Sequence, residues 1–274
     1  MFHTLYLILQ DDLITFAAKK MESSRMKYRN PYHLDTPEAT CFNREIILQK
    51  KFLHRLYSDW YACLIRRAKT CTDGICLEIG SGGGFLKDMF PEVVTSDILE
   101  LPFVDVTCDA ERLPFFDNSL SCIILLNVFH HIPHPYLFLE EAQRSLAKGG
   151  KILMLEPANS LLGRWIYTRF HHESFDPKGD WEIPSGHPLT NANQAFSYIY
   201  FERDRHRFAE RFQHLRINHI RRHTPFLYLV SGGLSHRACL PPFMYGAVKF
   251  LEWIFSPFNR LLGLFCTIEI EKTD

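Results

Sequence analysis

The fold of this chain is constrained most by one stretch, ICLEIGSGGG at residues 75–84. A short apolar run of this kind is typical of a strand buried in a parallel sheet. The glycines that follow allow the backbone to turn sharply and to approach a ligand closely. The stretch therefore predicts a strand that opens into a nucleotide-type binding turn, followed by a helical segment at residues 85–90.

The spacing of the glycines separates the candidate ligands. A dinucleotide fingerprint requires G-x-G-x-x-G, and its third glycine would fall on Phe85. A Walker loop requires a Gly-Lys-Ser/Thr sequence, which does not follow the turn. The run instead carries Glu78, Gly80, Gly82 and Gly84 at alternate positions. This E-x-G-x-G-x-G pattern resembles the first motif of class I S-adenosylmethionine-dependent methyltransferases, and its continuation resembles their type 11 group.

Two acidic motifs further along support the resemblance. Residues 92–97 predict a second strand that ends at Asp97, where a carboxylate can accept hydrogen bonds from both ribose hydroxyls; an ordinary strand-end acid is the alternative. Residues 103–106 predict a third strand, and the segment DAERLPF that begins at Asp109 resembles the family's adenine-binding segment. A carboxylate there can accept a hydrogen bond from the exocyclic amine of adenine.

The apolar run at residues 121–128 predicts the clearest buried strand of the chain. In an open α/β sheet, ligands bind outside the carboxyl ends of the strands. Asn127, His130 and His131 are therefore expected beside the methyl group of the cofactor. The resemblance implies a set of cofactor-binding residues: Glu78, Gly80, Ser81, Gly82, Gly84, Asp97, Asp109, Ala110 and Asn127.

The remaining pattern predicts the rest of the sheet. Residues 43–69 predict one amphipathic helix, residues 135–147 a second helix that stops at the glycines 149–150, and residues 151–156 a fifth strand. A charged helix at 201–212 and a strand at 215–222 are expected, and residues 265–271 alternate as an antiparallel edge strand does. The predicted fold class is α/β, a doubly wound, mostly parallel seven-stranded sheet (a Rossmann-like methyltransferase fold) with an antiparallel edge strand and a helical insertion near the C-terminus.

Composition and length predict the domain plan and the compartment. The chain has 274 residues, 46% of them hydrophobic, with 31 basic and 31 acidic residues, which gives no support for a general nucleic-acid binder. Its eight cysteines form no C-x-x-C pair, so a reducing cytosol without disulfides or a zinc site is expected. Residues 1–9 fit neither a signal peptide nor a spanning helix, and Met21 and Met26 are possible alternative starts. The predicted plan is an N-terminal extension (1–42) and one methyltransferase domain (43–274), with a core at 75–157 and acceptor-side elaborations at 158–200 and 224–264.

The histidines are the candidate catalytic residues. Methyl transfer from a sulfonium needs mainly alignment and the exclusion of water, but a hydroxyl acceptor also benefits from a general base. His130 and His131 are assigned this role, with a structural role in the loop as the alternative. His171, His172 and Glu173, with His187 further along, belong to an aromatic and charged segment that is expected to build the acceptor pocket. No metal is predicted, because no further ligands are evident near residues 171–173.

Two segments leave alternatives open. The arginines at 203–211, 221 and 222 fit a solvated helical face or, as a second interpretation, a phosphate or RNA contact. The apolar residues 243–264 fit a helix packed on the core, a lid over an apolar acceptor or an interfacial helix, but not a spanning helix.

The predicted function is S-adenosylmethionine-dependent methylation of a small-molecule or lipid-like acceptor. The protein is expected in the cytoplasm, with possible peripheral membrane contact through residues 243–264. A non-catalytic S-adenosylmethionine-binding or scaffold protein is the alternative, and a nicotinamide-dependent oxidoreductase is disfavoured by Phe85.

Overall fold

The computed structural model describes residues 30–33, 35–183 and 192–274. The predictions for residues 1–9, for Met21 and Met26, and for His187 lie outside these described residues.

Seven strands form one sheet in the order β3-β2-β1-β4-β5-β7-β6. They are β1 (Ile75–Ile79), β2 (Val94–Asp97), β3 (Val106–Thr107), β4 (Leu120–Leu126), β5 (Leu146–Pro157), β6 (Leu215–His223) and β7 (Phe265–Lys272). All neighbouring pairs from β3 to β5 are parallel, whereas β7 runs antiparallel to both β5 and β6. The predicted α/β class with a mostly parallel seven-stranded sheet is confirmed.

Helices cover both faces of this sheet. They are α1 (Pro37–Gln49), α2 (Lys51–Ala68), α3 (Leu86–Met89), α4 (Pro135–Ser145), α5 (Leu161–Phe170), α6 (Phe196–Tyr198), α7 (Arg205–Arg211), α8 (Leu227–Ser231), α9 (Tyr245–Ile254) and α10 (Asn259–Leu262). One buried apolar cluster joins α4 and the segment around α6 and α7 to the sheet, and a second joins α2 and α8 to the opposite face. Strands buried on both faces explain why β1 and β4 are continuous apolar runs rather than alternating ones.

The leading helix is two helices rather than the single one predicted for residues 43–69. The break lies at Lys50, whose ψ of 87° is not helical. Its buried ammonium donates to the carbonyl oxygen of Gly233 and, at 2.5 Å, to that of His236. A buried charge must be hydrogen-bonded, and these carbonyl oxygens lie more than 180 residues further along the chain. The break in the helix is therefore not visible in the local sequence.

Two boundaries differ from the sequence-based prediction. The third strand is limited to Val106–Thr107. At the preceding residue, the side chain of Asp105 accepts hydrogen bonds from the backbone N–H and the hydroxyl of Thr95 in β2, in place of a regular backbone ladder. Helix α4 ends at Ser145, and the predicted glycine stop is wrong: β5 begins at Leu146, which is fully buried and pairs with Leu120.

The predicted antiparallel strand at residues 265–271 is present as β7, but it lies one place inside the sheet with β6 outermost. Its alternation of polar and apolar residues suggested a solvated face. One polar position, Glu269, is instead paired with Arg67 of α2 at 2.8 Å and with Lys151 of β5 at 3.1 Å. These ion pairs satisfy the carboxylate of Glu269, which water would solvate on an exposed strand.

The predicted helix at residues 201–212 is interrupted. The range is formed by the end of a π-helical turn (Ile199–Arg203), which continues from α6, and by α7, with Phe201 and Phe208 buried in the core. The arginines of this region meet acids at close range: Arg211 lies 2.7 Å from Glu140. These pairs favour the solvated helical face over the phosphate or RNA contact.

The C-terminal insertion packs only one face of α9 on the core. Tyr245 is fully buried against Phe52, whereas Phe250 and Trp253 of the same helix are 58% and 70% exposed. None of the helices among the described residues combines the length and the apolar character needed to cross a bilayer. One face of the insertion therefore packs on the hydrophobic core, and a second apolar face is exposed.

Candidate active site

The glycine loop, residues 80–84, begins where β1 ends. Gly80 has a φ of 63°, a conformation that residues with a side chain rarely adopt. A Cβ atom on Gly80 would lie 2.6 Å from both γ carbons of Val128. Since Val128 follows β4, this close approach joins the glycine loop to the loop that carries His130 and His131.

The acid of the first motif lies behind this loop. Glu78 is 2% exposed, and its Oε2 atom accepts a hydrogen bond from the Ser81 hydroxyl at 2.7 Å. Burial raises the pKa of Glu78 to about 7, against the opposing hydrogen bonds of Ser81 and Tyr61. Tyr61, from α2, also occupies the space that a Cβ on Gly84 would need. Glu78 thus holds the loop from behind, and Ser81 is the residue that faces the cavity.

Asp97 ties the end of β2 to the glycine loop. Its Oδ2 atom accepts the backbone N–H of Gly82 at 2.8 Å, and Oδ1 accepts that of Leu99 at 3.0 Å. The side chain is mostly buried, and this burial raises its pKa despite the backbone donors around it. A carboxylate with two oxygens can accept further hydrogen bonds beyond these two.

The other predicted cofactor-binding residues line the same space from neighbouring strand ends. Asp109 is exposed, accepts the backbone N–H of Glu111 at 2.9 Å, and lies next to Ala110. Asn127 has a φ of 57°, and its Oδ1 atom is buried without a hydrogen-bond partner among the described residues. An orphaned acceptor beside a ligand cavity is costly unless a ligand donor or a water satisfies it.

These strand ends open into one cavity of about 1300 Å³. One half is lined by the glycine loop, Asp97, Asp109, Ala110 and Asn127, and Glu78 does not reach the surface. The other half is lined by His130, His131, the 170–173 segment and apolar or aromatic residues of α5, α8 and β7. The cavity is therefore divided between a polar half and a half that combines apolar surface with histidines.

The carboxylate of Glu156 organises the histidine loop. This fully buried residue at the end of β5 accepts the backbone N–H groups of Val128 and Phe129, both at 2.8 Å. Its Oε2 atom lies 2.6 Å from Nδ1 of His130. Burial lowers the pKa of His130, but Glu156 and Glu173 outweigh that effect and raise it to about 10.

Glu173 lies among four imidazoles. Its carboxylate is 3.5 Å from His130 Nε2, 3.7 Å from His131 Nε2, 3.7 Å from His171 Nδ1 and 3.6 Å from His172 Nε2. Burial would raise the pKa of Glu173, but the surrounding imidazoles lower it overall. Burial and the neighbouring His130 lower the pKa of His131 to about 3. Two triads within this cluster have ligand spacing, one of His130, His131 and Glu173, and one of His171, His172 and Glu173.

Backbone hydrogen bonds fix the two halves of this cluster together. The N–H of Asn193 donates to the carbonyl oxygen of His130 at 3.0 Å, and that of Gln194 donates to Ser174 at 3.0 Å. The side chain of Gln194 also donates to Glu173 at 2.7 Å. Residues 193 and 194 thus bridge the loop after β4 and the segment after α5.

Several residues of the site carry no signal in the sequence. Tyr61 belongs to the regular apolar face of α2, Glu156 is the last acid of an apolar strand, and Gln194 lies in an irregular segment. Each is recognised only by what it contacts. A further missed element is the cap loop, residues 232–239, which lines the cavity and is anchored by Lys50.

Comparison with known proteins supports a methyltransferase. Residues 77–154 match the family profile described as "Methyltransferase domain". A ubiquinone/menaquinone biosynthesis C-methyltransferase of Cellvibrio japonicus is 40% identical over 60 residues, or 21% of this chain and 24% of that protein. The corresponding protein of Pseudomonas fluorescens is 30% identical over 97 residues, 34% of this chain and 35% of that one. The matches span about a quarter to a third of these relatives.

A solved structure is similar over a longer range but more distantly. Geranyl diphosphate C-methyltransferase from Streptomyces coelicolor, in complex with Mg²⁺, geranyl diphosphate and S-adenosyl-L-homocysteine, superposes with a TM-score of 0.47 at 14% identity. The alignment covers 89% of this chain and 86% of that one. A likeness this distant does not bear on the acceptor.

The fold and the glycine loop define a nucleotide-type site at the carboxyl ends of a doubly wound sheet, which is the architecture of class I methyltransferases. The match of residues 77–154 to the methyltransferase domain profile agrees with the resemblance that the motifs predicted. S-adenosylmethionine is the cofactor of the class, and the polar half of the cavity has the chemistry that suits it. It offers backbone N–H groups, the carboxylates of Asp97 and Asp109, and the amide oxygen of Asn127, which no described residue bonds.

Proposed function

We propose that this protein is an S-adenosylmethionine-dependent methyltransferase that acts on a small-molecule or lipid-like acceptor. The observation that carries the proposal is the single cavity with two chemically different halves. A protein that only bound the cofactor would not need an open second half. The open half lined by His130 and His131 therefore favours an enzyme over a non-catalytic binding or scaffold protein.

The glycine loop and the acids beside it would hold the cofactor. Ser81, Gly82 and Gly84 would face its amino-acid end, with Glu78 fixing Ser81 from behind. Asp97 would accept the ribose hydroxyls, and Asp109 with Ala110 would meet the adenine edge. Asn127, whose buried amide oxygen has no partner in the described part of the chain, would supply a further acceptor. When bound, S-adenosylmethionine supplies an electrophilic methyl group.

The acceptor would occupy the second half of the cavity. Tyr167, Phe170, Tyr228 and Phe265 line it with aromatic surface. Apolar walls exclude water and orient an apolar substrate, and alignment is the main requirement of an in-line displacement. His130 and His131 are the polar groups at the boundary between the halves, and we assign them to the acceptor's reacting atom. The curated relatives are named for quinone biosynthesis, which agrees with an apolar acceptor.

We also propose that residues 243–264 contact a membrane surface. Four aromatic side chains on this segment are more than half exposed: Phe243, Phe250, Trp253 and Phe258. Basic side chains of Lys249 and Arg260 lie on the same segment. Exposed aromatic and basic residues on a helix with one packed face are typical of interfacial binding, which would bring the cavity close to a lipid-like acceptor.

Calorimetric titration with S-adenosylhomocysteine tests the cofactor site. Asp97→Ala should weaken binding well beyond Asp73→Ala, which removes an exposed acid that lies just before β1. Equal affinities of the two variants would remove Asp97 from the site. No binding by the wild-type protein at millimolar concentration would end the proposal.

The acceptor can be sought with isotopically labelled cofactor. Cell extract and lipid extract are incubated with the protein, and mass spectrometry detects compounds that gain the labelled methyl group. Cofactor binding without any labelled product in either extract would favour the non-catalytic alternative.

A further inference from the structure

Each of the four imidazoles around Glu173 places a nitrogen near its carboxylate, and the ligand atoms of two triads lie within 4.8 Å of one another. The separations between their nitrogens and the Glu173 oxygens are 3.5–3.7 Å. Charge-assisted N–H···O hydrogen bonds are about 2.7–2.9 Å long, so these contacts are too long to be strong hydrogen bonds. Two ligand atoms bound tetrahedrally to one zinc ion at about 2.0–2.1 Å lie about 3.3–3.4 Å apart. The observed separations are therefore close to the edge of a metal coordination shell.

The two triads share Glu173, whose Oε2 atom accepts from the Gln194 side chain at 2.7 Å, and they differ in their histidines. In the triad of His171 and His172, Nδ1 of His171 lies 2.6 Å from the side-chain nitrogen of Gln194, and the side chain of His172 is 66% exposed. In the first triad, His130, His131 and Glu173 are 4%, 19% and 11% exposed, and their facing atoms contact one another. The buried triad is the better candidate.

His130 also has the outer partner that metal-bound histidines have. Its Nδ1 atom lies 2.6 Å from the carboxylate of Glu156, which leaves Nε2 directed at Glu173. Histidine ligands almost always donate their second N–H to a carboxylate, a carbonyl or a water, which fixes the ring and the tautomer. Glu156 is itself held by two backbone N–H groups, so the ring of His130 is rigidly oriented.

His131 lacks satisfactory partners in the described part of the chain. Its Nδ1 atom is buried without a hydrogen bond, and its Nε2 atom is 3.7 Å from the nearest oxygen of Glu173. An ion between His131 and Glu173 would give Nε2 a ligand bond at this otherwise long contact. The unpaired Nδ1 atom lies on the other side of the ring and would not contact this ion.

We propose that His130, His131 and Glu173 bind one divalent transition-metal ion in the acceptor half of the cavity. Two imidazoles and one carboxylate suit borderline ions such as Zn²⁺, Fe²⁺ or Co²⁺ better than Mg²⁺ or Ca²⁺, which prefer oxygen ligands. Three protein ligands leave a coordination position open. The role of that position rests on the proposed methyltransferase function: it would bind the oxygen of the acceptor and favour its deprotonated form.

Metal binding is measured on the full-length protein without any acceptor. The protein is stripped with a chelator and titrated with Co²⁺ while the visible absorption of the bound ion is followed, and Zn²⁺ is added in competition. One saturable equivalent, displaced by Zn²⁺, is the expected result. Absence of saturable binding would overturn the proposal, whereas S-adenosylhomocysteine binding, titrated in parallel, reports separately on the proposed function.

Three variants locate the ion. His131→Gln and Glu173→Gln should each weaken Co²⁺ binding by more than the about 10–100-fold typical of losing an outer-sphere partner. His172→Gln, the matched control in the exposed triad, should leave the affinity unchanged. Equal loss in His172→Gln would overturn the assignment of the triad, and unchanged affinity in all three would place the ion elsewhere. An unaltered midpoint of thermal unfolding in His131→Gln excludes misfolding as the cause.

Discussion

The close approach of Gly80 to Val128 predicts how the glycine loop tolerates substitution. In Gly80→Ala, the left-handed backbone conformation costs about 1–2 kcal/mol. The new methyl group would also lie 2.6 Å from two carbons of Val128, and forcing extra atoms into a packed site costs about 1–3 kcal/mol more. A smaller term, about 0.4–1 kcal/mol, opposes these costs because alanine restricts the unfolded chain. A loss of about 1–5 kcal/mol in the free energy of unfolding is expected.

Gly82 provides the matched control. It has a φ of 49°, yet a Cβ there would meet nothing closer than the carbonyl oxygen of Gly80 at 3.6 Å. Gly82→Ala should therefore show only the backbone cost, less the gain from the unfolded chain. Urea unfolding of both variants measures the difference, which is the cost of the contact with Val128.

A double variant isolates that contact. Val128→Ala removes both γ carbons and leaves only a Cβ at 3.2 Å from the new methyl group of Gly80→Ala. The two substitutions should be less destabilising together than the sum of their separate effects, with a coupling energy of about 1–3 kcal/mol. Additive effects, or equal destabilisation by Gly80→Ala and Gly82→Ala, would refute the steric explanation.

Three other predictions use features away from this contact. Burial raises the pKa of Glu78 to about 7 from 4.5, so its contribution to stability is present below pH 4.5 and lost as pH rises through 7, a change of about 3 kcal/mol. Glu78→Gln should flatten this part of the pH profile of the free energy of unfolding. An unchanged profile would contradict the prediction. Lys50→Met should free the cap loop, raising its rate of proteolysis and weakening S-adenosylhomocysteine binding, whereas unaltered cleavage would argue against the anchor. Phe250→Ser and Trp253→Ser should reduce co-sedimentation of the protein with anionic vesicles, whereas Phe116→Ser, at another exposed aromatic residue, should not. Equal effects of the three substitutions would indicate non-specific adsorption through any exposed aromatic side chain.

The sheet was predictable because burial on both faces leaves a simple signal. The apolar run of β1 and its glycines, the acid at the end of β2 and the run of β4 each identify an element without tertiary information. The predicted boundaries of the elements are wrong where a side chain, rather than a backbone group, bonds to a distant part of the chain. Asp105 shortened β3, and Lys50 divided the leading helix, because both bond to groups that are distant in sequence.

On the acceptor side of the cavity, the sequence indicated which residue types are present but not which side chains contact one another. His171, His172 and Glu173 were recognisable as a polar cluster, but their partners His130 and His131 lie about 40 residues earlier in the chain. The contact depends on residues 193 and 194, which bond to both segments. Both histidine motifs were predicted on the acceptor side, but no local pattern encodes the bridge that brings their side chains together at Glu173.

Glu156 connects the two halves of the cavity mechanically. One carboxylate oxygen accepts the N–H of Val128, the residue that packs on Gly80, and the other holds His130. The position of the glycine loop and the orientation of the histidine therefore depend on the same buried side chain. A shift of Val128 toward or away from Gly80 must move the backbone that Glu156 binds, and with it the imidazole that faces Glu173. Because packed interiors transmit small displacements rather than absorb them, occupation of the cofactor half should be felt at the acceptor half through this carboxylate.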